Sequence, residues 1–150
     1  MINLNKRKIY LASPFFSEKE TKIYKEVISI LRSYKNTEVY VPQEHEIMEG
    51  HKMTNNHWGR SVFHIDKNAL DCADIVFVLN FGMYSDSGTA WEAGYAYAKE
   101  KTVYQILCGD KNAEYSLMMA NGTTYVLTLD DLRKNKLPNQ LQVYENFTQK

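Results

Sequence analysis

Charge of one sign is missing from this sequence. Lysine and arginine together number 18, aspartate and glutamate also 18, and the formal net charge is zero. A chain that grips a nucleic-acid backbone carries a broad basic field, so no nucleic-acid partner is expected. The one basic cluster, Asn5-Lys6-Arg7-Lys8, is short and runs straight into an apolar segment, which reads as a solvated strand start. Cysteine is scarce too. Cys72 and Cys108 lie far apart in apolar stretches, which points to reduced core thiols rather than a disulfide or a metal site. Long hydrophobic runs are absent. The longest, Ile75 to Leu79, is far too short to cross a bilayer, and no segment near the start suits a signal peptide. A cytoplasmic protein with no membrane partner is the expectation. Repeats, low-complexity tracts and linkers are also lacking, so residues 1–150 are expected to form a single domain.

Familiar chemical signatures are missing as well. No Walker-type loop with its lysine is present, and no dinucleotide fingerprint follows the first strand. Ser13 before Pro14 is not a nucleophile elbow. The histidines His45, His51, His57 and His64 show no ligand spacing, and His57 and His64 are expected to be separated by a turn or loop. No metal is expected.

Tyrosine, by contrast, is abundant, with 11 copies. Its apolar ring and polar hydroxyl suit pockets and interfaces. The rest of the chain alternates between two periods. Lys8 to Ala12, Glu38 to Val41, Ile75 to Leu79, Thr102 to Leu107 and Thr124 to Leu127 read as strands. Between them lie a helix capped by Ser17 and Glu20, a helix from Trp58 to Cys72, a helix from Thr89 to Lys101, and short helices over Glu114–Asn121 and Leu129–Asn135. The polar stretch from Gln43 to His57 predicts an irregular loop. Strand–helix alternation predicts an α/β fold with a five-stranded parallel sheet flanked by helices. In such sheets ligands bind at the carboxyl ends of the strands. Three segments leave strands there: Ser13-Pro14-Phe15-Phe16, the 43–57 loop, and the 80–88 loop that leads to Glu92.

Asp86-Ser87-Gly88-Thr89-Ala90-Trp91-Glu92 is the segment richest in chemistry. A helix start places the positive end of a dipole near Glu92, favouring the ionised state a carboxylate nucleophile needs. Thr89 and Glu92 also match a capping box, which competes with catalysis as the reason for the glutamate. Gly88 and Gly94 permit close approach of backbone to a ligand or of helix to sheet. Asp66 falls on the helix face next to Ile65 and Ala69, toward the rim, whereas Asp71 and Asp74 flank the helix end as solvated groups. Phe15, Phe16, Tyr10 and Trp91 are open to two readings, stacking on a flat ring or core packing.

These segments together resemble the nucleoside 2-deoxyribosyltransferases. The resemblance runs along most of the chain, through Lys8-Ile9-Tyr10-Leu11-Ala12 with Phe15-Phe16, Tyr40-Val41-Pro42, His64-Ile65-Asp66-Lys67-Asn68, and Asp86 through Ala96. It implies a flavodoxin-like, doubly wound fold and base exchange on 2′-deoxynucleosides by way of a deoxyribosyl-enzyme. Under it Glu92 is the nucleophile, Tyr10 orients Glu92, and Asp66 and Asp86 bind and protonate the departing base. Phe15 and Phe16 wall the base pocket, and the 43–57 loop with His45, Glu46 and His51 shapes it. No cofactor is implied; the partners are small molecules, 2′-deoxynucleosides and free purine or pyrimidine bases. The resemblance also implies a homo-oligomer with shared sites, each completed by a neighbour's Ser116-Leu117-Met118. Family transferases carry asparagine where Ser116 stands. An alternative of the same fold is a 2′-deoxynucleoside 5′-monophosphate N-glycosidase, which passes the sugar to water. Ser116 suits a phosphate there, whereas Asp86 repels one. A third possibility is a nucleotide-binding module with no catalysis.

Overall fold

The computed structural model describes residues 6–45 and 55–135. Its strands are β1 (Arg7–Ala12), β2 (Thr37–Tyr40), β3 (Ile75–Asn80), β4 (Thr102–Leu107) and β5 (Tyr125–Thr128). Its helices are α1 (Glu18–Arg32), α2 (Asn55–Cys72), α3 (Ser87–Ala98), α4 (Leu117–Asn121) and α5 (Leu129–Arg133). The strands pair in parallel in the order β2-β1-β3-β4-β5. This is the flavodoxin-like arrangement, with β1 and β3 side by side at its centre.

Strand alternation divides the core. Ile9, Leu11, Phe77, Leu79, Ile106 and Leu127 point to one face, where Tyr24, Val27 and Leu31 of α1 and Leu132 of α5 cover them. Tyr10, Ala12, Val76, Val78 and Val103 point to the other, against Leu70 and Ala73 at the end of α2 and Ala93 and Ala96 of α3. β3 is apolar on both faces because helices cover both, as a central parallel strand requires. The capping box that starts α1 forms as read: Ser17 Oγ accepts from Glu20 N at 3.1 Å, and Glu20 accepts from Ser17 N at 2.8 Å.

Several boundaries differ from the sequence reading. The two ends of the expected 43–57 loop are regular: Pro42–His45 forms a 3₁₀ turn, and α2 begins at Asn55. Glu46 and His51 lie outside the described residues. His57 and His64 share α2, with neither turn nor loop between them. α4 starts at Leu117 rather than Glu114, and α5 ends at Arg133. Cys108 is buried as expected, but Cys72 is exposed, although Leu70 and Ala73 beside it are buried in the core. Gly94 is exposed with no atom near its missing Cβ, so it does not serve close helix–sheet packing. Among the described residues no helix is long and apolar enough to cross a membrane, and no group of three or more His, Cys, Asp or Glu is placed to hold a metal ion.

Candidate active site

The carboxyl ends of β1, β2 and β3 converge on a cavity of about 230 Å³. Ser13, Phe15 and Phe16 reach it from β1, Pro42, Gln43 and His45 from β2, and Asp86 and Glu92 from the segment after β3. Trp58, Val62, Ile65 and Asp66 close it from α2. Phe15 stacks on Phe16 at 5.7 Å and on Tyr24 at 5.4 Å. Phe16 is 77% exposed, so its outer face is available to a ligand. A second hollow of about 500 Å³ adjoins the first and is lined by Phe63, Lys67, Leu70, Ser87, Gly88 and Trp91. Asp66 and Glu92 line both, so the two carboxylates stand at the junction.

The local structure around Glu92 differs from the capping-box reading. The N-cap of α3 is Asp86, three residues before Thr89. Asp86 Oδ2 accepts from Thr89 N at 2.8 Å and from Thr89 Oγ1 at 3.0 Å. Thr89 is therefore inside the first turn, and Glu92 sits a turn further on, free of any capping duty. Its carboxylate instead accepts a hydrogen bond from the Tyr10 hydroxyl. Trp91, next to it, is not core: it is 47% exposed, stacks on Tyr95 and meets Phe63 edge-on.

Electrostatics at Glu92 also differ from the dipole expectation. A dipole's influence fades beyond the first turn, and Glu92 is in the second. Burial is the larger effect and pushes its carboxyl up to about 7. The charges of Asp66 and Asp86 add to the rise, and the hydrogen bond from Tyr10 opposes it. Burial, then Glu92, holds the Tyr10 hydroxyl far above its usual range, so it stays protonated and donates.

A second pair parallels the first. Tyr40 donates to Asp66 Oδ1 at 3.0 Å. Burial raises the Asp66 carboxyl, and Tyr40 and His45 pull it back down. Tyr10 and Tyr40 are register partners on adjacent strands, and their rings stack at 5.4 Å. His45 stacks on the far side of Tyr40 at 4.2 Å. Tyr40 entered the sequence reading only as the end of a strand, and Trp58 only as the start of a helix. The available signal for Tyr40 was that it precedes a Val-Pro strand end as Tyr10 precedes one in Ser-Pro. Pairing of the two strands, which makes them neighbours, is not written in either segment.

Of the remaining expected residues, Gly88 lines the second hollow, where an added Cβ would stand 3.2 Å from Asp86 Oδ2. Ser116 and Met118 line neither hollow. Ser116 precedes α4 without capping it through its side chain, and Leu117 and Met118 are 57% and 83% exposed.

Fold and site together define a flavodoxin-like α/β domain whose cleft is built on two carboxylates, each held by a tyrosine. The family described as nucleoside 2-deoxyribosyltransferase matches residues 9–141, and the chain belongs to that family of enzymes. It is similar to a 2-deoxyribosyltransferase from Bacillus psychrosaccharolyticus at 32% identity and a TM-score of 0.72, covering 83% of this chain and 89% of that one. In fold it also resembles a conserved protein from Enterococcus faecalis V583, at 21% identity and a TM-score of 0.68, over 86% of this chain and 98% of that one. A CMP N-glycosidase from Clostridium botulinum shares the fold at 18% identity and a TM-score of 0.61, over 87% and 100% of the two chains. Comparison with curated protein sequences finds no match.

Proposed function

We propose that this protein is a nucleoside 2-deoxyribosyltransferase that exchanges the base of 2′-deoxynucleosides through a deoxyribosyl ester on Glu92. The observation that carries this reading is Glu92 itself, bonded by Tyr10 and set at the junction of two hollows. In the first half-reaction a Glu92 carboxylate oxygen bonds to C1′ and the C1′–N bond breaks. The departing base takes a proton from Asp66, whose raised carboxyl suits a proton donor. In the second, a nitrogen of a new base bonds to C1′, the ester breaks, and the proton displaced from that base returns to Asp66. Asp86 assists at the base while also capping α3, and the apolar walls of Phe15 and Phe16 suit the flat ring. Ser116 and Met118 line neither hollow of their own chain, as in segments that complete a neighbour's site, and we extend the reading to a homo-oligomer with shared sites.

Ser116 keeps a second reading in view, hydrolysis of 2′-deoxynucleoside 5′-monophosphates, because a hydroxyl suits a phosphate better than it replaces an amide. One incubation separates the two. With a 2′-deoxynucleoside and a second free base, a new nucleoside is the expected product. Free base and deoxyribose without exchange, or a strong preference for 5′-monophosphates, would overturn the transferase reading. Intact mass should show a deoxyribosyl adduct that Glu92→Ala abolishes.

A further inference from the structure

On the sheet face that carries Tyr10, two amide side chains are fully buried. Asn80 ends β3 and Gln105 lies in the middle of β4, both with no exposed surface. Each side-chain polar atom of the pair has a partner. Asn80 Nδ2 donates to Gln105 Oε1 at 2.7 Å. Asn80 Oδ1 accepts from Gly82 N at 3.1 Å, and its main-chain oxygen accepts from Cys108 N at 2.8 Å. Gln105 Nε2 donates to the main-chain oxygen of Met119 at 2.5 Å. The result is an unbroken bridge from Gly82, at the start of the loop leading into α3, to the middle of α4.

Two buried amides are a poor way to gain stability alone. Each must recover the cost of leaving water, and apolar residues of like shape would pack there among Val76, Val78 and Val103 just as well. What a satisfied amide pair adds is a fixed geometry. Here the fixed object is α4, a helix of only five residues whose Leu117 and Met118 are turned outward. So short a helix has little stability of its own. Ala120 is the residue it buries, and Met119 is partly buried.

We infer that Asn80 and Gln105 form a positioning pair, which holds α4 and its Ser116–Met118 segment in register with the loop that carries the helix of Glu92. This rests on the reading that the segment completes a neighbour's site. The pair would make the distance between a chain's own nucleophile helix and the segment it lends a property of the buried core, not of the surface.

The test uses the full chain with Asn80→Leu and Gln105→Leu combined, and separately Gln105→Met, which leaves the bond from Gly82 to Asn80 in place. For both, kcat/KM for base exchange should fall by roughly 10- to 100-fold, the scale of a small misplacement of a substrate-contacting group. Thermal melting of the folded protein should account for none of that loss. Each variant is then refolded together with Glu92→Ala at equal amounts. Sites that pair an intact Glu92 with an intact borrowed α4 should return about a quarter of wild-type activity, their share under random pairing. Wild-type kcat/KM in either folded variant overturns the inference, whereas a loss of kcat/KM with no recovery in the mixture overturns the shared-site reading it rests on. Should the double variant not fold, Gln105→Met decides alone. A wild-type chain that turns over no nucleoside would instead overturn the reading beneath it, and that control is run first.

Discussion

Glu92 carries two demands of opposite sign. Attack on carbon requires its carboxylate ionised, while burial pushes its carboxyl up to about 7. Activity should therefore fall as pH drops through about 7, as measured by initial exchange rates across pH. Tyr10→Phe removes the hydrogen bond that lowers Glu92, so the acid limb should move to higher pH and the maximal rate should drop. An unmoved limb would show that Tyr10 does not act on Glu92. The same burial has a cost in stability. The folded-state value lies above the ordinary 4.5, so ionisation is harder in the folded chain. The penalty is absent below the ordinary value, grows as pH rises through the folded one, and reaches roughly 3 kcal/mol above it. Glu92→Gln should melt several degrees above wild type at pH 8, with the gap closing by pH 4, while losing exchange by at least about a thousandfold. Tyr40→Phe leaves Asp66 without its donor. The Asp66 carboxyl should rise further, and the alkaline limb of the exchange profile, where the proton donor is lost, should move up with it.

Among the elements, α3 joins two tasks at one residue. Asp86 caps the helix and also faces the cavity with its charge. Asparagine caps about as well as aspartate, and alanine does not. Asp86→Asn should keep the melting temperature, and by removing a charge that raises Glu92 it should move the acid limb to lower pH. Asp86→Ala should lose about 1 kcal/mol of stability in addition, read by denaturant titration. At this scale the sequence was legible where a single element decides its own fate. The Ser17 capping box, the apolar run of β3 and the alternation of strands with helices are local patterns, and each is found in the structure. The start of α3 was misread because Asp86 and Thr89 are both good N-caps three residues apart. What decides between them is where β3 delivers the chain. Trp58 as a cavity residue and Tyr40 as the donor to Asp66 were invisible for the same reason: their neighbours come from other elements. The resemblance supplied Glu92, Tyr10 and Asp66 as a set, and the fold brings these three to one cleft.

For the whole molecule, the exposed aromatic and apolar side chains are unevenly placed. Phe63 and Trp91 meet edge-on beside the second hollow, and Tyr97, Leu117 and Met118 stand out on α3 and α4, which contact each other. Scattered exposed apolar residues are ordinary, but a group beside a site suits burial by another chain. If neighbours complete each site, specific activity should fall on dilution through the dissociation range, together with a drop in mass by light scattering. A chain that stays monomeric at full activity would rule out shared sites. Asn80 and Gln105 were also beyond reach of the sequence, since Asn80 reads as the first residue of a loop and Gln105 as a lone polar residue in a strand until α4 is folded over them.

The pairing of β1 with β2 has a consequence for catalysis that no single side chain reveals. Tyr10 faces Tyr40 because the strands align residue for residue, Ile9 with Val39 and Tyr10 with Tyr40. A slip of one position would turn Tyr40 to the opposite face and set a valine beside Tyr10. Asp66 would lose its donor, although every hydrophobic residue of β1 stayed where it is. The spacing of the two acids is in this sense encoded in a backbone ladder four residues long, so lesions at Thr37 or Glu38, far from any reacting atom, have a direct route to the chemistry.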